Sequence, residues 1–187
     1  MVLSKYTADQ NIATVTSHGP TVYNLGNITW VLVSAGLVFL MVPGIAFFYS
    51  GLLRRKNALT MLAMLMAVMA VASIEWFFWG FSLSFSEGAS SFIGDLKHFG
   101  LMHVDMDVAT GGSTIPQLVY CVYQMMFAAL TPAIACGAFA DRARMGPVLL
   151  FTFCWSTIVY NPIACWTWNV DHGWSEKLGN LDYAGGT

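Results

Sequence analysis

Four runs of apolar residues, each long enough to cross a bilayer as a helix, constrain this chain more than any other feature. A helix rises 1.5 Å per residue, so about 20 apolar residues span a hydrocarbon core about 30 Å thick. Runs of that length lie near residues 28–53, 58–85, 115–140 and 146–168. The second contains MLAMLMAVMAVASI (residues 61–74), which has no polar face to turn to water. Composition agrees: 57% of the 187 residues are hydrophobic and 10% are charged, against roughly 25% charged in a soluble domain. The expected architecture is an all-α integral membrane protein with four transmembrane helices. Pro43, Pro132 and Pro162 fall inside the runs and are read as kinks, because neighbouring helices and hydroxyls can satisfy the carbonyls that a proline leaves free.

The connections between the runs give them a direction. LRRKNA (residues 53–58) and DRAR (residues 141–144) hold Arg54, Arg55, Lys56, Arg142 and Arg144, five of the eight basic residues. The positive-inside rule assigns both to the cytoplasm. The connection 86–114 carries Glu87, Asp95, Asp105 and Asp107 against Lys97, and the connection 169–181 carries Asp171 and Glu176 against Lys177, so both are expected outside. The N-terminus is then outside too. Residues 1–27 read as an extracellular segment, polar and without the cationic start and apolar run of a cleaved signal peptide. EWFFWGF (residues 75–81) and WTW (residues 166–168) close the second and fourth runs at the outer side, as an interfacial aromatic belt would. The sequon Asn27-Ile28-Thr29 abuts the first run and is expected to be a poor glycosylation acceptor. Gly111-Gly112-Ser113 reads as a flexible end to the long outer connection.

Several function classes fall away. A net charge of -2 with no basic patch offers nothing to nucleic acid. The chain has no H-E-x-x-H, no G-x-S-x-G, no phosphate loop and no dinucleotide fingerprint. Cys121, Cys136, Cys154 and Cys165 lie in apolar runs without metal-ligand spacing and read as packing residues. His98 and His103, five apart in the outer connection, read as solvated loop residues. No catalytic residue, metal or cofactor is expected.

The third run is more informative. Tyr123 and Phe127 are four apart in VYQMMFAAL and share one helix face. That run travels inward, which puts them about 12 and 18 Å below its outer start. The fourth run travels outward and delivers Trp168 at its outer end. Three aromatics from two helices suit an outer vestibule in which ring faces attract a small ammonium-like cation, at about 0.5–2 kcal/mol each. Spacing alone leaves packing and belt roles open for them. Glu75 is the only carboxylate inside a run, where a charge at mid-membrane costs roughly 3 kcal/mol. It reads as a structural anchor near the outer interface, with a pore role as the other reading. Asp182 follows a polar connection and suits a helix N-cap, and the small residues Ala184, Gly185 and Gly186 permit close helix approach, as in the first turn of a fifth membrane helix.

Five collinear segments extend the pattern: MVPGIAFFYSGLLRRKNAL (41–59), EWFFWGFSLSFS (75–86), VYQMMFAALTPAIACGAFADRAR (122–144), IVYNPIACWTWN (158–169) and LGNLDYAGGT (178–187). Together they resemble the ammonium transporter family (Amt/Mep/Rh), in its fungal Mep-like form, over residues 28–187. The resemblance implies a homotrimer in the plasma membrane, each subunit an eleven-helix fold with its own narrow apolar pore. Residues 28–187 would be its incomplete N-terminal portion, four helices plus the start of a fifth. Tyr123 and Phe127 would be gate aromatics, Trp168 would belong to the outer recruitment site, and Asp182 would cap the fifth helix and favour the cation. The family usually has phenylalanine where Tyr123 stands, and its two pore histidines and a recruitment-site serine fall after AGGT. The implied function is transmembrane transport of ammonium, recruited outside, deprotonated and conducted as ammonia, with this chain as a piece that does not conduct alone. The alternative is a non-conducting truncated subunit or an ammonium sensor that assembles with and modulates full-length transporters. The implied partners are ammonium or ammonia and the lipid bilayer, with no nucleic acid.

Overall fold

The computed structural model describes residues 5–6, 11–16, 19–88, 90–104, 109, 114–180 and 182. Four long helices dominate it: α1 (Leu25–Leu52), α2 (Arg55–Phe85), α3 (Gln117–Phe139) and α4 (Met145–Trp168), each long and apolar enough to cross a membrane. α1 begins earlier than its apolar run because Asn24 caps it, its side chain accepting the Asn27 N–H at 3.0 Å. α2 also begins early, so the first connection shrinks to Leu53 and Arg54, and Arg55 and Lys56 join its first turn.

A small antiparallel sheet precedes the helices: β1 (Lys5–Tyr6), β2 (Asn11–Thr16) and β3 (Gly19–Asn24), in the order β1-β2-β3. In its register Ile12 stands opposite Tyr23 and Thr14 opposite Thr21. The β-branched residues Ile12, Thr14, Val15 and Thr16 of NIATVT are a strand signal within the otherwise polar N-terminal segment. β3 runs straight into α1, and the Asn24 N–H donates to the Thr114 carbonyl at 3.0 Å.

Pro43, Pro132 and Pro162 leave their helices unbroken, and Pro147 lies in the first turn of α4, where its missing N–H has no intrahelical partner to lose. Pro43 and Pro132 lie within α1 and α3, and α3 closes in a 3-10 turn at Cys136–Phe139. α2 and α4 each contain one wide π-helical turn, Trp76–Gly80 and Ser156–Tyr160. In α4 that turn ends two residues before Pro162, whose missing N–H and ring do not fit a regular α ladder.

Packing divides into two cores. Toward the basic end, α1, α2 and α3 bury aliphatic side chains such as Val42, Leu65, Val68 and Ala133. Toward the opposite end, α2, α3 and α4 bury Trp76, Phe81, Phe85, Cys121, Tyr160 and Ala164. The connection after α2 folds back over this aromatic core. The Gly94 N–H donates to the Leu83 carbonyl at 2.7 Å, and a Cβ on Gly94 would sit 2.3 Å from the Ser82 carbonyl oxygen. His98, expected to be solvated, is instead 2% exposed: its N–H donates to Ser82 Oγ and its ring lies against Phe81. His103 is exposed. The four cysteines are free thiols, three of them buried and Cys154 exposed on α4. Gly111-Gly112-Ser113, Asp105 and Asp107 lie outside the described residues.

At the basic end Asp141 takes a left-handed backbone conformation, φ 68, which an Asp tolerates better than most residues. Its carboxylate accepts from the Asn57 amide and, at 3.4 Å, from Arg54 Nε. The Asn57 bond first, and then Arg54, hold the Asp141 carboxyl below its ordinary range.

Candidate functional site

The expected aromatics converge. Tyr123 and Phe127 lie one turn apart on α3 with ring centroids 5.0 Å apart and planes at 85°. α4 runs antiparallel beside α3 and its last residue, Trp168, brings its indole to 6.4 Å from Phe127 at 60°. All three rings are half-buried, so each keeps some surface for a ligand. Edge-to-face packing of this kind also fixes the rings relative to one another.

Asp182 joins them. Trp168 Nε1 donates to Asp182 Oδ2 at 3.2 Å, and the aspartate is half-buried. A carboxylate drawing on the indole N–H makes the ring more electron-rich and adds a negative charge beside it, and both effects favour a cation. The proposed N-cap and fifth-helix start depend on residues 183–187, which lie outside the described residues.

Below the trio is a cavity of about 120 Å³ between α3 and α4, lined by Thr131, Trp155, Tyr160, Ile163, Thr167 and Trp168 among others. That exceeds the roughly 10–15 Å³ that one water-sized molecule requires. Thr131 is one turn beyond Phe127 on α3, so the cavity continues the line of the aromatics into the bundle.

Tyr160 was not singled out by its sequence, yet it is central here. Its ring meets Trp168 at 6.5 Å, Trp155 at 6.4 Å and Trp76 at 6.5 Å. Its hydroxyl is buried, and Tyr160 and Thr131 line the same cavity from α4 and α3. The available signal was its place eight residues before Trp168, on the same side of one helix.

Glu75 is buried inside the bundle. α2 continues past it to Phe85, about 15 Å of helix. The side chain is fully buried, and Oε1 accepts from Asn161 Nδ2 at 2.7 Å and lies 3.1 Å from Thr157 Oγ1. Glu75 therefore anchors α2 to α4. EWFFWGF is likewise not simply a belt: Trp76 is 1% exposed and donates to the Cys121 carbonyl at 3.3 Å.

A model of the Ammonium Transporter Family matches residues 29–187. The chain belongs to the ammonium transporter family. It is 51% identical to Ammonium transporter 1 of Schizosaccharomyces pombe over 165 residues, which is 88% of this chain and 33% of that protein. With Ammonium transporter MEP2 of Saccharomyces cerevisiae it shares 48% identity over 168 residues, 89% of this chain and 33% of the relative. The crystal structure of Candida albicans Mep2 superposes with a TM-score of 0.81 at 41% identity, covering 88% of this chain and 36% of that one. The chain thus spans about a third of the length of the relatives it matches. As a member of the ammonium transporter family it is a multi-pass membrane protein, and β1 to β3 precede the part that the family model matches.

Proposed function

We propose that the protein takes part in transmembrane transport of ammonium, with Tyr123, Phe127, Trp168 and Asp182 forming the ammonium-binding and gating site. The carrying observation is the convergence of Phe127 and Trp168, 6.4 Å apart, with Trp168 lining a cavity and the Asp182 carboxylate on its indole N–H. Ring faces and carboxylate attract the cation, and its N–H groups find acceptors at the site. A bare ion meets a desolvation barrier in the apolar interior, so the proton is left behind and neutral ammonia passes.

In this reading the basic end faces the cytoplasm, so residues 1–27 and the long connection after α2 are extracellular and the membrane is the plasma membrane. Residues 28–187 form the first part of an eleven-helix transporter domain that assembles as a homotrimer. The test is Trp168→Leu in the protein expressed from its own gene, in cells without other ammonium uptake. The expected result is a KM for ammonium raised about tenfold at equal membrane abundance, which is the loss of one cation–π contact of roughly 1.4 kcal/mol. An unchanged KM overturns the site assignment.

A further inference from the structure

The two π-helical turns face each other across the bundle, and one carboxylate holds them together. Glu75 is the residue before the π turn of α2, and Thr157 and Asn161 lie within and directly after the π turn of α4. Asn161 Nδ2 donates to Glu75 Oε1 at 2.7 Å, and the Thr157 hydroxyl lies within donating distance of both Glu75 Oε1, at 3.1 Å, and the Phe153 carbonyl, at 3.0 Å. Trp79, inside the α2 turn, donates from Nε1 to Thr157 Oγ1 at 3.0 Å. At the far end of the α2 turn, Gly80 leaves space for the second carboxylate oxygen: a Cβ there would lie 2.8 Å from Glu75 Oε2. A leucine in place of Glu75 would avoid the cost of burying a carboxylate, so packing alone does not account for this residue.

A π turn contains one residue more than an α turn. Were it to relax to regular α geometry, everything after it would rotate by about 100° about the helix axis, the angle one residue occupies. In α4 the residues after the turn include Asn161, Thr167 and Trp168. The direction of the Trp168 indole, and hence its approach to Phe127 and Asp182, depends on the π turn at Ser156–Tyr160 being kept.

We propose that Glu75 is a positioning residue for the aromatic site, clamping the π turn of α4 so that Trp168 faces Phe127. This role rests on the ammonium reading of that site. Glu75 touches no ligand in it and acts through Thr157, Asn161 and the register of α4.

The experiment compares Glu75→Leu, Glu75→Gln and Thr157→Val in the protein expressed from its own gene, reading KM and maximal rate of ammonium uptake at matched membrane abundance. Glu75→Leu is expected to raise KM about tenfold with maximal rate within about twofold, because the clamp is lost while the path remains. Glu75→Gln keeps the Oε1 acceptor and is expected to stay within about twofold of the parent KM. Combined with Trp168→Leu, Glu75→Leu is expected to add less than about twofold, because residues acting through one another are not additive. Should Glu75→Leu fail to reach the membrane, Thr157→Val, which removes one donor at nearly constant volume, carries the test with a rise of about threefold. An unchanged KM in Glu75→Leu, or in Thr157→Val where that variant carries the test, overturns the proposal. So does a Glu75→Gln defect as large as that of Glu75→Leu, or a full additive loss in the double variant. A Trp168→Leu variant with normal KM sinks the ammonium site itself, whereas a responsive Trp168→Leu beside an unresponsive Glu75→Leu sinks only the clamp.

Discussion

The aliphatic core at the basic end and the aromatic core at the other end solve packing in different ways. Among α1, α2 and α3 the buried side chains are small or flexible, Ala35, Ala46, Met61, Met64 and Leu65 among them, and carry no polar handle. Between α2, α3 and α4 the buried rings are large, and they enclose Glu75, Asn161, Ser82 and Ser84. A helix pair packed through methionine and alanine can shift slightly without breaking a specific bond. A pair packed through Trp76, Tyr160 and a bridged carboxylate cannot, since each ring and hydrogen bond has one geometry. Rigidity is thus concentrated in the half of the molecule that holds the candidate site.

If that contrast is right, substitutions should separate the two cores by size of effect. Trp76→Ala removes a buried ring and its bond to the Cys121 carbonyl, and is expected to lower the stability of the purified protein by about 3–5 kcal/mol in denaturant unfolding. Gly80→Ala places a methyl against Glu75 Oε2, with an expected loss of about 1–3 kcal/mol by the same measurement and a matching fall in monodisperse yield after heating. Leu65→Met in the aliphatic core, although Leu65 is equally buried, should cost less than about 1.5 kcal/mol. A Leu65→Met loss as large as that of Trp76→Ala would erase the contrast.

The smallest effect lies outside both cores, at Asp141. Its carboxyl is held below the ordinary value of 3.8, chiefly by the Asn57 amide, so the ionised form is favoured in the folded protein. The stabilisation is therefore complete above about pH 4 and is lost as pH falls through the lowered value. Asp141→Asn should unfold at a slightly lower temperature than the parent near neutral pH, and the difference should close in strong acid. A gap that persists there would show that the charge is not what Asp141 contributes.

The four helices were legible because length and apolarity alone define a membrane span, and the tolerance of α1, α3 and α4 for internal proline followed from the same reasoning. Tyr123 and Phe127 were legible because a spacing of four has one geometric meaning on a helix. Trp168 was legible once the sense of α4 was inferred from the basic connections. The π turns were not, since an extra residue in one turn leaves no mark in composition and shifts the helix face only downstream. Tyr160 carried only the weak signal of its place on α4, and its meeting with Trp76 and Trp155 depends on tertiary packing and on the π turn between Trp155 and Tyr160. The burial of His98 depends on how a loop folds back over α2, and that of Glu75 on Thr157 and Asn161 of α4, both properties of tertiary contacts. The β strands were passed over because short alternating runs carry little weight beside long apolar segments.

The link between Arg54 and Asp141 joins two positions 87 residues apart in the chain. Arg54 is synthesised before α2 and Asp141 after α3, so Arg54 has no acidic neighbour from the third connection until α3 has been made. Only when α3 has been threaded and the turn after it has formed does the carboxylate arrive. Chain order alone therefore delays this contact until the whole of α3 exists.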